Sequence, residues 1–499
     1  MAVPSPPSPV HHPSGNAPTK LLPPGFACAL DGTGWASDYA GSLLTLLGAT
    51  VLRGSGKPDE HPAMAWARSG AMTMTGRADG PPQVCPLPLA SCVSGVAVAF
   101  AALVNSAGHV LTSPLPGAET LGERAVLSGL RRSGAISAGG ACRLLRAADD
   151  WLALSLPRAD DWQLMAAWLE CDFPTNGNNA SDLEIAWQRL AILLRERLAA
   201  TLIERARLLG LAVARAATMP FGETRVPWYE VVHVAASHCT SNGSVHRRRT
   251  PPLVIDLSSL WAGPLCSHIL QSAGARVIKV ESMQRPDGAR LGAAEFYDLL
   301  NHGKASVALD FASPRGIEQL RQLLLKADIV IEASRPRALR QLGIQAEQIL
   351  AANPGLTWLA ISGHGRVEPQ ANWIAYGDDA GVAAGLSGVL LDLTGEPLFC
   401  GDAIADPLTG WHAALAALAG YYSGGGCLIS LALVDVVKHC SQFRQPASRD
   451  AMQERWREWQ QRVEAGATIV MPSVRHATVS ARPLGTDTGT ILMELGIPC

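Results

Sequence analysis

The sequence predicts an α/β protein built on a mostly parallel sheet, and two strand–helix–strand alternations and a further strand carry that expectation. The run LVIDL (residues 253–257) has strand length, WAGPLCSHILQSAGA has helical spacing, and RVIKVE (276–281) is again strand-like. A second alternation follows in ASVALD (305–310), the helix SPRGIEQLRQLLLKA and the strand DIVIEA (328–333), and TWLAIS (357–362) adds another strand. Strands and helices alternating at these lengths require a parallel sheet covered on both faces, joined by right-handed crossovers. Ligands of such sheets sit beyond the carboxyl ends of the strands, so a site is expected in the loops after Leu257, Glu281, Ala333 and Ser362.

Composition narrows the function classes. The chain has 499 residues, 48% apolar and 17% charged, and 41 basic against 43 acidic side chains leave a net charge of -2. That length holds two or three domains. Near-neutral charge lacks the clustered basic footprint of a nucleic-acid binder, so no nucleic acid is expected as a partner. The longest apolar stretch, about residues 90–104, is short for a membrane-spanning helix, and no membrane partner is expected. The first residues show neither a basic region nor an apolar core of a secretion signal, which makes a cytoplasmic location the expectation. Eleven cysteines without a C-x-x-C pair argue for buried thiols rather than a metal site or a disulfide framework.

Residues 1–24, rich in Pro, Ser and His, are expected to be a flexible tail, and residues 241–252 (SNGSVHRRRTPP) a linker. The basic run from His246 to Arg249 in that linker reads as solvated charge. From Asp149 to about Ala217 a strand and amphipathic helical patterns, closing at Gly210, describe a smaller α+β subdomain. The two halves also share a pattern. ALDGTGWASDYAGSLLTLLGATVL is similar to VIDLSSLWAGPLCSHILQSAGARVI, and at a constant offset of 315 residues 80–103 match residues 395–418 at 9 of 24 positions. These include Gly80/Gly395, Cys85/Cys400 and Gly95/Gly410. In that alignment Ser91 stands opposite Asp406, so only the second copy has a carboxylate there.

Several ordered motifs resemble the class III CoA-transferases (CaiB/BaiF type), which include formyl-CoA and carnitine-CoA transferases and the α-methylacyl-CoA racemases. They are AGP (262–264), GARVIKVE (274–281), PDGAR (286–290), NHGKASVALD (301–310), ADIVIEASRP (327–336), ISGHG (361–365), D-x-x-x-G (406–410) and PLGTDTGTILMELG (483–496). The resemblance implies two fused modules, residues 25–240 as a degenerate copy with the small domain and 253–499 as a fuller Rossmann-like large domain with a closing segment. It implies a pseudo-dimeric chain, with further homo-oligomerisation open.

It also implies an activity: moving CoA from an acyl-CoA donor to a carboxylate acceptor, with CoA thioester as substrate and neither metal nor redox cofactor. Asp406 would be the nucleophile, because a covalent route divides a step that a free carboxylate performs poorly. Local sequence gives Asp406 a plainer role as well, the N-cap of a helix with Pro407 at its first position. Lys304, Arg290 and Arg335 match candidate anchors for CoA, and Gly263 and Pro264 belong to the AGP motif at the same site. Ser282, Gln341 and the pair Ala333-Ser334 depart from the family pattern in the nucleotide region. A racemase reading lacks its His, since Gly377-Asp378-Asp379 stands where a G-H-D step would be. His364 and His412 read as structural. A non-catalytic CoA-binding or partner subunit is the alternative from another class, and a dinucleotide-dependent dehydrogenase lacks a full G-x-G-x-x-G.

Overall fold

The computed structural model describes residues 19–173, 180–223, 225–234, 251–466 and 474–498. In chain order, β1 (Ala27–Leu30), α1 (Trp35–Leu47) and β2 (Thr50–Arg53) form a parallel βαβ unit, and α2 (Leu89–Ser106) packs along α1. Gly48, in the left-handed conformation at φ 105°, ends α1 and turns the chain into β2. Next, β3 (Cys142–Arg146) and β4 (Trp151–Ser155) pair antiparallel, and α3 (Ala199–Leu209) leads into β5 (Ala212–Arg215) at the edge of the same sheet. Then β6 (Glu230–Val234) ends the first half.

The second half contributes β7 (Leu253–Asp256), α4 (Ala262–Ser272), β8 (Arg276–Ser282), β9 (Ala305–Leu309), α5 (Pro314–Leu325), β10 (Ile329–Glu332) and β11 (Thr357–Ser362). It continues with α6 (Gly377–Ala383), α7 (Ala405–Ser423), β12 (Cys427–Ala432), α8 (Leu433–Ser441), α9 (Arg449–Gly466) and α10 (Thr488–Glu494). The start of α5 shows how locally these helices are specified: Ser313 accepts the Gly316 N–H at 3.0 Å, and Pro314 takes the first helical position.

The large sheet has the order β6-β12-β11-β10-β7-β8-β9. Its last six strands in sequence run parallel in the doubly wound 3-2-1-4-5-6 arrangement, and β6 is antiparallel to β12. The strand order reverses between β7 and β10, and the crevice outside that pair is where the topology opens a ligand site. The expected α/β sheet and the α+β subdomain are both present.

Three expectations are corrected. The tail was drawn through residue 24, but Leu21 and Leu22 are buried, and the Leu22 N–H bonds the Leu47 carbonyl at 2.8 Å. Residues 1–18 lie outside the described residues, as does most of the expected linker. The long helical pattern after residue 180 is two helices, Ala180–Leu194 and α3, because the Asp149 carboxylate caps the Ala199 N–H at 2.8 Å from fifty residues away. The apolar stretch near residues 90–104 belongs to an 18-residue helix, α2, long and apolar enough by composition to cross a bilayer; here it packs between α1 and α7.

The crossing of α4 with α7 is a close one. A Cβ placed on Gly410 would lie 2.8 Å from the Ala262 carbonyl oxygen and 3.1 Å from Leu265 Cβ. Gly410→Ala is therefore expected to cost about 1–3 kcal/mol through overpacking, read as a lowered denaturant midpoint.

Candidate active site

Asp406 lies in the first turn of α7, half-buried, and lines a cleft of about 260 Å³ at the sheet's reversal point. The same cleft is lined by Ser259 and Leu260 after β7, Ala333 and Ser334 after β10, and Ser362 and Gly363 after β11. The expected N-cap role is corrected: the cap position is Ile404, and the Asp406 side chain makes no capping bond. Its carboxylate instead accepts the backbone N–H of Ala262, the first residue of α4. A helix N-terminus presents unpaired N–H groups and positive potential, so it suits an anion there.

Gly377 closes in from α6. A Cβ at that position would come within 2.2 Å of Asp406 Oδ2 and 2.5 Å of the Ala403 carbonyl, so only glycine leaves the carboxylate its place.

Charge around Asp406 is unbalanced. Arg124, from the first half, forks both oxygens of the buried Asp402, with Nε at 2.8 Å from Oδ2. Asp378 accepts the Ala403 N–H at 2.8 Å. Burial, the largest cause, pushes the Asp406 carboxyl up to about 7; Arg124 and the Ala262 N–H pull it down, while Asp378 and Asp402 push it higher. Burial and Asp402 likewise lift Asp378 to about 6. The result is a carboxyl poised near neutral pH, able to ionise and still poorly solvated, which is the state a nucleophilic carboxylate requires.

The other sequence-named residues divide. Gly263 lines the cleft, and a Cβ there would strike Ser258, so the AGP turn depends on it. Arg335 lines the cleft as well. Pro264 does not: its carbonyl accepts a 2.9 Å bond from Lys304 Nζ.

Lys304 is 2% exposed and is held by Asp256, Ser267 and Asn301 in addition to Pro264. Its ammonium is consumed inside the scaffold, with burial lowering it to about 8, and is not presented to an anion. Arg290 forks Glu281 at 2.9 and 2.6 Å and lines neither this cleft nor its neighbours. Both anchor expectations are thus corrected by burial and pairing. Trp261 is buried against Phe296, a core position. His364 is held neutral, burial lowering it to about 4, and His412 is buried against Tyr39 Oη at 2.8 Å.

Arg124 was missed by sequence reasoning. It is separated from Asp402 by 278 positions and sits in no motif, so nothing local marks it. The pair Asp378-Asp379 was read only for the racemase question.

Beside the cleft lies a second hollow of about 390 Å³, lined by Ser258, Ser282, Arg285, Phe311, Ser334 and Gln341 among others. The ions Glu281 and Asp287 on its wall are taken by Arg290 and Lys279, whereas Arg285 has no ion pair among the described residues.

Residues 252–470 match the family model CoA-transferase family III. Succinate–glutarate CoA-transferase of Agrobacterium fabrum is 33% identical over 210 residues, which cover 38% of this chain and 52% of the relative. Formyl-CoA:oxalate CoA-transferase of a Bradyrhizobium species is 31% identical over 195 residues, 37% and 46% of the two chains. A solved CAIB/BAIF family protein from Brucella suis aligns at 32% identity over 38% of this chain and 53% of its own, with a TM-score of 0.34. The chain spans about half the length of the curated relatives it matches.

A carboxyl held above its unfolded value binds more protons in the folded state. Its contribution to stability therefore falls as pH rises from about 4, the usual carboxyl value, to about 7. Asp406→Asn removes that dependence. The variant is expected to gain in denaturant midpoint over the wild type between pH 5 and pH 8, with the gap widest above pH 7.

Proposed function

From the match of residues 252–470 to CoA-transferase family III, we propose that the whole chain transfers CoA from an acyl-CoA to a carboxylic acid with Asp406 as nucleophile. The single observation that carries the reading is the cleft at the sheet reversal, with a carboxyl near neutrality at its floor. The ionised Asp406 oxygen attacks the thioester carbon, and CoA leaves as thiolate, giving a mixed anhydride. The thiolate attacks the aspartyl carbonyl and expels the donor acid, leaving an aspartyl-CoA thioester. The acceptor carboxylate then attacks that thioester, CoA leaves again, and thiolate attack on the acceptor carbonyl releases the new acyl-CoA and free Asp406. Ala262 N–H steadies the charged carboxylate before attack, and Gly377 leaves the approach clear.

The hollow beside the cleft is the slot for the nucleotide end of CoA in this reading. Ser282 and Gln341 provide no charge there, and Arg285 supplies the unpaired cation instead. That answers the departures from the family pattern and favours an active protein over a partner subunit.

We also propose that the chain is a fused pair of modules, residues 25–240 and 253–499. Three relations support it. β1 pairs with β2 from Ala27 and Thr50, as β7 pairs with β8 from Leu253 and Arg276, a shift of 226 for both strands. Gly95 meets Ala36 and Tyr39 as Gly410 meets Ala262 and Leu265, again 226 apart on the facing helix. Cys85 and Cys400, equivalent in the internal alignment, are hydrogen-bonded to each other, the contact expected where a two-fold relation passes. The modules interlock: β6 joins the large sheet, and Arg475 near the chain's end forks Glu123 of the first half at 2.6 and 2.7 Å. Ser91, buried and with its Oγ unpartnered among the described residues, leaves one working site per chain.

Incubation with acyl-CoA donors, hydroxylamine trapping and mass spectrometry should label Asp406, and Asp406→Asn should lose transfer by about a thousandfold or more. The transfer rate should rise with pH along a limb centred near the value of this carboxyl, about 7. Transfer by the Asn variant at the wild-type rate would remove the mechanism.

A further inference from the structure

A cavity of about 800 Å³ adjoins the Asp406 cleft and shares Arg335 and Trp373 with it as a common wall. It opens between α3 of the small domain and the segments following β10 and β11. Its walls are of two kinds. Ile203, Leu208, Pro369 and Trp373 are apolar, while Arg207, Arg335 and Arg337 bring positive charge.

Those three guanidinium groups have no ion pair among the described residues. Arg207 lies over the Trp373 ring at 3.5 Å, and its Nε is buried without a hydrogen-bond partner. Arg335 is half-buried, and after burial itself the neighbours Arg337, Arg158 and Arg285 are what depress its proton affinity. The remaining charges are accounted for. Arg215 pairs with Asp149 and Asp150, Arg158 pairs with Asp161, and Glu204 is the one exposed carboxylate on the wall. Three unpaired arginines against one exposed acid are mutually repulsive until an anion enters between them.

Resting on the CoA-transfer reading, we propose that this cavity receives the distal carboxylate of a dicarboxylic acid whose other carboxylate reacts at Asp406. A guanidinium fork matches a carboxylate in two parallel bonds, and the apolar walls suit the methylene stem between the two acid groups. In that reading the nucleotide end of CoA takes the separate hollow beyond β7, β8 and β10, which leaves the arginine cavity to the acid. Arg207 is then a specificity residue contributed by the first half of the chain.

The test uses the full-length protein and three probes: glutarate, pentanoate and 3′,5′-ADP. A ligand that binds only the folded form raises the melting temperature. Glutarate should raise it and pentanoate, of equal length with one carboxylate, should not. Arg207→Gln and the exposed Arg337→Gln should each weaken glutarate binding by about tenfold or more, the usual effect of a lost charge-assisted bond, and leave the 3′,5′-ADP response unchanged. Arg337→Gln guards against a folding defect in the Arg207 variant. Equal responses to glutarate and pentanoate, no response to glutarate, or loss of the 3′,5′-ADP response in the arginine variants would each overturn the proposal. Glutarate binding without CoA transfer would leave the cavity standing and remove the activity; transfer to monocarboxylates and dicarboxylates alike would do the reverse.

Discussion

Ala262 touches α7 twice, and the site depends on both contacts. Its carbonyl rests against Gly410, where any side chain would intrude, and its N–H meets the Asp406 carboxylate one helical turn earlier. The crossing of α4 and α7 is thus fixed by the absence of a Cβ, and the same closeness brings a helix N-terminus onto the acid. Behind it, Lys304 ties the Pro264 carbonyl to Asp256 at the end of β7, with Ser267 joining both. A buried cation beside a buried carboxylate adds little net stability by itself, because desolvating both offsets their attraction. Its value here is position: four acceptors around one ammonium hold the AGP turn in a single place.

The strands were legible because each is a short apolar run with its own boundaries. β11 falls on TWLAIS, and β7, β9 and β10 fall within the expected runs. Asp406 was singled out through its motif, although the capping role that local sequence offered was wrong: Pro407 after Asp406 resembles a helix start, but the helix begins two residues earlier, at Ala405. Lys304 was misplaced for a related reason. A lysine before a strand has the same local sequence whether its ammonium faces solvent or the core, and only the arrival of Asp256, Ser267 and Asn301 from other elements decides it. Arg124, Asp149 as a cap and Arg207 against Trp373 are long-range contacts, and no local pattern encodes them.

The acids around Asp406 work against the stability of the fold. Asp378, Asp402 and Asp406 gather where one arginine, Arg124, carries the opposing charge, and Arg124 is already forked onto Asp402. A core arranged for stability alone would replace such carboxyls with apolar groups. Asp379 sharpens the point, since its Oδ2 is buried with no hydrogen-bond partner among the described residues, and burial raises its carboxyl further. Concentrated, underpaired carboxyls beside a cleft are the kind of local conflict that function sustains and packing does not.

The contrast between the halves follows from the same physics. At the position aligned with Asp406 the first half has Ser91, and at the same offset of 315 residues Leu87 and Ala63 stand opposite Asp402 and Asp378. A position without a carboxylate needs no neighbouring acids, and apolar residues there avoid the desolvation cost that buried acids carry. In the first half Trp35 is set edge-on to both Phe443, just after α8, and Trp459 of α9. Arg124, from the first half of the chain, nonetheless carries the opposing charge among the acids around Asp406 in the second.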